Sequence, residues 1–156
     1  MRLFGKTVNS PSIEHIIIPR EPKDIVLVAC AVTSNDEFDK LYPPVLAPKI
    51  QFPGKPVVED VTDAEYLKAV AVRGEAYSSW LLLKSLSATP TLEWETVKLN
   101  DPSTWKNVNA ELQSAGFTAI EISRIYQGVA SANGLNEDKV KKARERFFAT
   151  LPQTGS

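Results

Sequence analysis

The chain has 156 residues, about one domain, and its 43% hydrophobic content is enough to bury a core. Eighteen basic against nineteen acidic side chains leave a formal charge of -1, which removes any whole-chain electrostatic case for DNA, RNA or an anionic membrane. A single cysteine, Cys30, rules out an intrachain disulfide, and with a single histidine, His15, no metal site can be built on Cys and His.

Residues 1–12 are polar, close with Asn9-Ser10-Pro11-Ser12, and read as a flexible N-terminal tail. No basic-then-apolar leader opens the chain, and its longest apolar run falls short of the roughly 18 residues of a membrane span. The expectation is a soluble intracellular protein. Ile13–Ile18 and Ile25–Val32 are β-branched runs separated by Pro19–Asp24, a spacer too short for a crossover helix, so they predict an antiparallel hairpin. Neither run alternates cleanly, which predicts partial cover on both faces, and Cys30 within the second reads as a buried thiol. A lone hairpin is marginal, so it must lean on helices or on a neighbouring subunit.

Ser34 or Asn35 can cap a short helix, Asp36–Tyr42, with Phe38 and Leu41 on one side, and Pro43-Pro44 stops it. Pro43, Pro44, Pro48, Pro53 and Pro56 with Gly54 then make an arm that cannot donate a full strand ladder. Hairpin and arm together span 13–60. The apolar Val45, Leu46, Ile50 and Phe52 have no use in a solvated linker, so they are expected to press on the domain or on a partner.

A helical domain, 61–150, follows. Thr62-Asp63-Ala64-Glu65 has the form of a capping box opening the longest helix, about Asp63–Ser85, with Leu67, Val70, Gly74, Tyr77 and Leu81 as its core-facing seam. Gly74 in mid-helix predicts a close backbone approach or a bend. Trp80 to Leu83 is apolar nearly all round and should be either the most buried end or an interface. Ser87–Pro90 breaks the helix, and Leu92–Leu99 is a loop or a short extended piece.

The next boundaries follow from capping chemistry. Asp101 caps a helix whose first residue is Pro102, and Gly116 closes it. Thr118 with Glu121 forms a capping box, stopped by Asn133-Gly134, and Asn136 starts a last helix with Glu137 and Asp138 in its first turn. Trp105, Val108, Leu112 and Ala115 line one face of the first, Ile122, Ile125, Tyr126 and Val129 the second, and Val140, Ala143 and Phe147 the third. Short connections predict a compact cluster of these three helices. The expected fold is α+β, mainly α: an N-terminal β-hairpin, a proline-rich arm, one long helix and this C-terminal cluster, a single domain overall with a flexible tail at 151–156.

Catalytic chemistry finds little footing. His15 lies in a candidate strand with no serine or cysteine motif beside it. A pair with Cys30 across the hairpin is conceivable, but an apolar setting raises a thiol pKa rather than activating it. Glu59, Asp60, Asp63 and Glu65 lack the spacing and turn glycine of a calcium loop and suit a helix N-terminus. Gly5-Lys6-Thr7 resembles only the tail of a phosphate loop. The basic exterior of the last helix, Lys139, Lys141, Lys142, Arg144 and Arg146, is diluted by Glu137, Asp138 and Glu145. Leu151-Pro-Gln-Thr-Gly155 has the form of a sortase signal without the apolar tail and basic end that such a signal needs. No catalytic, cofactor-binding or metal residue is assigned.

Ile17-Ile-Pro-Arg20, Asp36-Glu-Phe-Asp39 before the proline-rich arm, Leu92-Glu-Trp-Glu-Thr-Val97, Asp101-Pro-Ser-Thr-Trp105, Glu111-Leu112 with Ala115-Gly116-Phe117, and Asn133-Gly-Leu135 leading to Ala143-Arg144 and Phe147 form an arrangement that resembles the small tail assembly chaperones of long-tailed phages. These are encoded between the tail tube and tape measure genes. The resemblance implies a non-enzymatic protein of the host cytoplasm, without cofactor. Such a protein would self-associate, coat the tape measure protein and recruit tail tube subunits during virion morphogenesis. The residues that would bind protein are Val45, Leu46, Ile50 and Phe52 of the arm and Trp80, Leu82 and Leu83 of the long helix. Two other classes fit the same residues: a structural tail or head-completion subunit kept in the virion, and a small DNA-binding regulator using the last helix.

Overall fold

The computed structural model describes residues 1–7 and 11–152. Among them five α-helices combine with three two-stranded antiparallel sheets. Strands β1 (Arg2–Leu3) and β2 (Lys6–Thr7) close a minute hairpin over Phe4 and Gly5, both at positive φ, inside the stretch expected as a loose tail. Strands β3 (Ile13–Ile18) and β4 (Ile25–Cys30) form the expected hairpin, pairing Ile13 with Cys30 through Ile18 with Ile25. Its inner face carries Ile16, Ile18, Leu27 and Ala29 into the core. His15 and Cys30 share the outer face but are offset in register, since His15 stands opposite Val28, and Cys30 is half-buried rather than buried.

Helix α1 (Asp36–Leu41) stops at Tyr42, and its first turn is capped by the Ser34 hydroxyl, which accepts from Asp36 N–H at 3.1 Å, while the Asn35 side chain makes no cap bond. The arm then turns through β5 (Lys49–Ile50) and β6 (Val58–Glu59), a ladder as short as its prolines require. Helix α2 (Ala64–Leu86) is capped one residue later than expected. The Asp63 carboxylate accepts from Tyr66 N–H at 2.9 Å, and Thr62 instead donates its hydroxyl to Asp60 at 2.7 Å.

The second half of α2 is the mast of the molecule. Trp80, Leu81, Leu82, Leu83, Ser85 and Leu86 are all buried, with β4, α4 (Ala119–Ala132) and a 3₁₀ turn (Pro102–Asn107) packed around them. Phe38 of α1 closes one side, stacking on Tyr42 and Trp105 and meeting Tyr77 edge-on. The Trp105 indole N–H donates to Lys98 C=O at 3.0 Å, whereas the buried Trp80 N–H has no partner among the described residues.

The caps expected between 101 and 136 form. Asp101 accepts from Ser103 N–H at 3.1 Å, though what it opens is the 3₁₀ turn, followed by helix α3 (Val108–Ser114). Thr118 and Glu121 make the reciprocal capping box of α4. Gly116 and Gly134, at φ 91 and 76, end α3 and α4 with the same pair of bonds: Gly116 to Gln113 and Phe117 to Leu112, then Gly134 to Ser131 and Leu135 to Ala130. That pairing is the Schellman closure a left-handed residue permits. The last helix, α5 (Glu137–Thr150), starts at Asn136 as expected but does not join the cluster: none of its residues is buried. Lys139 reaches Glu14 on β3 at 2.5 Å, but Val140, Phe147 and Phe148 stay exposed. The short 133–136 connection therefore carries α5 away from the core. Residues 153–156, with most of the sortase-like signal, lie outside the described residues.

Candidate functional site

The arm and the first half of α2 project from the body as one continuous stretch, 43–72. The arm leaves beside Arg73, whose guanidinium donates to the carbonyls of Tyr42 and Pro43 and to Asp39 at 2.6 Å, lying 4.6 Å over the Phe38 ring. This clamp satisfies the carbonyls at the end of α1 and fixes where the arm begins. The chain returns to α2 at Asp63, about 15 Å along the helix axis from Arg73 at 1.5 Å per residue.

Between these anchors apolar side chains stand in solvent. In the arm Leu46 is 86% exposed and Phe52 54%, with Val57, Val58 and Val61 near half, while Val45 and Ile50 are half-buried. The expected contact of Leu46 and Phe52 with the domain is therefore not made. On α2 the seam read from spacing splits in two. Leu67, Val70, Ala71 and Gly74 share one exposed face at i, i+3, i+4 and i+7. A neighbouring stripe, Tyr66, Ala69, Arg73, Ala76 and Tyr77, is the half-buried one. Gly74 has open space around it, so no close backbone approach explains it.

Trp80, Leu82 and Leu83 require a correction as partner-binding residues. Trp80 and Leu82 are completely buried and Leu83 nearly so, because the hairpin, the 3₁₀ turn and α4 close round that end of α2. Of the two readings its composition allows, burial is the one taken. Where the free half of α2 meets the body, a groove of about 620 Å³ runs between Val72, Ala76 and Ser79 on one side and Trp105, Lys106 and Tyr126 on the other. No sequence spacing signals it, since its walls come from four separate segments.

Several polar groups among the described residues are engaged in structure. Arg20 forms a bidentate pair with Glu121, one arm at 2.7 Å, and lies 5.8 Å over Phe117. The Arg20 hydrogen bond, then the Thr118 N–H, pull the Glu121 carboxyl down to about 2. Burial would raise Glu111, but hydrogen bonds from the Thr96 hydroxyl and the Glu95 and Thr96 N–H groups outweigh it and lower its pKa, stapling the 92–99 loop to α3. Asp60 and Asp63 serve Thr62 and the α2 cap. Among the described residues no group of three or more His, Cys, Asp or Glu side chains converges, and no helix is long and apolar enough to cross a membrane. No family model, curated protein or solved structure matches this chain.

Proposed function

We propose that this chain is a phage tail assembly chaperone, a non-enzymatic protein that binds the tape measure protein in the host cytoplasm and presents it to tail tube subunits. The observation that carries the reading is the exposed apolar surface of the arm and of the first half of α2. A long helical client offers apolar stripes that can lie along such a face, and the adjoining groove can take a larger side chain. The arm contributes Leu46 and Phe52, the helix Leu67 and Val70, while Trp80, Leu82 and Leu83 hold the platform behind them. Several copies along one client would shield it from aggregation.

Co-expression tests this directly. The tape measure protein should be soluble with the wild-type chain and precipitate with the Leu67→Glu/Val70→Glu variant, whose circular dichroism should match wild type because both positions are exposed. A tape measure protein equally soluble without the chain would overturn the reading. Recovery of the chain in purified virions would favour the structural-subunit alternative.

A further inference from the structure

Strand β3 has an open edge. In an antiparallel ladder, residues alternate between those bonded to the facing strand and those whose N–H and C=O point away. The Thr89 hydroxyl takes both outward groups of Val28, accepting from its N–H at 2.8 Å and donating to its C=O at 3.1 Å, and Asn133 Oδ1 accepts from Val32 N–H at 2.8 Å. Val28 stands opposite His15, so Ile13, His15 and Ile17 share its outward phase. The bond from Ala31 N–H to Ser12 C=O fixes the same alternation. The outer edge of β4 is thus blocked at Val28, and the chain just beyond the strand at Val32. No described residue bonds the N–H or C=O of Ile13, His15 or Ile17. The strand carries neither lysine nor an internal proline, two of the guards of an edge; its one carboxylate, Glu14, lies in the other phase and pairs with Lys139, and Ile13 and Ile17 are each 55% exposed.

We propose that β3 pairs antiparallel with β3 of a second copy across a two-fold axis beside His15, joining two hairpins into one four-stranded sheet. Ile13 then faces Ile17 of the second copy, His15 faces its own counterpart, and all three outward residues are bonded in both copies. The prolines at the strand ends select this register. A slide by two residues sets Ile17 against Pro11 or Ile13 against Pro19, and neither proline has an N–H to give. The pairing is isologous and closes at two copies, because it uses the same edge of both, and on each outer edge of the new sheet Thr89 already holds both outward groups of Val28. Isoleucine meets isoleucine on the outer face. The dimer gives a surface to the self-association in the proposed function but rests on strand geometry alone: a failed client complex leaves it standing, and a monomeric chain removes it without touching client binding.

Cysteine cross-linking in a Cys30→Ala background tests the register. Residues bonded across an antiparallel pair have Cα atoms about 5.5 Å apart, within the roughly 4.4–6.8 Å that a disulfide spans. His15→Cys should therefore oxidise to a covalent dimer. Ile17→Cys should not, because its counterpart lies four residues along the strand, roughly 13 Å away. In sedimentation the wild-type chain should be dimeric. His15→Pro deletes an outward N–H without touching the β3–β4 ladder and should abolish the dimer, as should Ile17→Lys, which keeps the backbone intact. A monomeric wild-type chain, equal cross-linking of both cysteine variants, or a persistent Ile17→Lys dimer would overturn the proposal.

Discussion

Gly128 and Gly74 both sit in mid-helix, yet a methyl group at the two positions meets opposite surroundings. At Gly128 it would fall inside van der Waals contact of Ile16 Cγ1 and Cδ1, and Ile16 is buried between β3 and α4. At Gly74 it meets nothing. Gly128→Ala should therefore destabilise by about 1–3 kcal/mol through overpacking, while Gly74→Ala should stabilise by up to about 1 kcal/mol through helix propensity. Thermal melts of the two variants read this, and equal shifts would contradict it. The pair also marks what sequence can carry at this scale. The caps at Asp101, Gly116, Thr118, Gly134 and Asn136 are legible because a cap is a bond between near neighbours. Which glycine a strand packs against depends on a partner more than a hundred residues away. The Arg20–Glu121 pair crosses the same gap. Because Glu121 is depressed in the folded chain, its contribution is fully present above the ordinary value of 4.5 and is lost as pH falls toward about 2. The stability difference between wild type and Glu121→Gln should shrink over that window, and a difference constant with pH would deny the pair this role.

Helix α2 is two elements in one. Its last two turns are packed nearly all round and its first half carries an exposed stripe, and hydrogen exchange should follow the division: slowest at Trp80–Leu86, faster at Ala64–Val72. Helix α5, with no buried residue, should exchange fastest of the helices, and removing residues 137–156 should leave the melting transition of the rest nearly unchanged. Slow exchange in α5 of the isolated chain would mean that its Val140–Phe147–Phe148 face is covered. Periodicity marks both helices as having an apolar face. It is silent on whether anything covers that face, which is why Leu67, Val70 and Val140 read as core and stand in solvent. The all-round apolar run Trp80–Leu83 gives the stronger signal, since no exposed helix keeps four such residues together without cost.

At the scale of the whole molecule, a buried body formed by the hairpin, the mast of α2, the 3₁₀ turn, α3 and α4 holds out three unsatisfied surfaces: the arm with the first half of α2, the edge of β3, and α5. The hairpin, the arm and the long helix were legible as elements, but the projection of 43–72 was not, because it follows from where packing stops. Apolar side chains left in solvent on these surfaces are the feature on which the proposed binding of another chain rests. Hydrogen exchange on the chain with and without the proposed client, a tape measure protein, tests this most directly. The account predicts new protection across 43–61 of the arm and Ala64–Val72 of α2, with the exchange of Trp80–Leu86 unchanged. Unaltered exchange across 43–72 in a formed complex would contradict it.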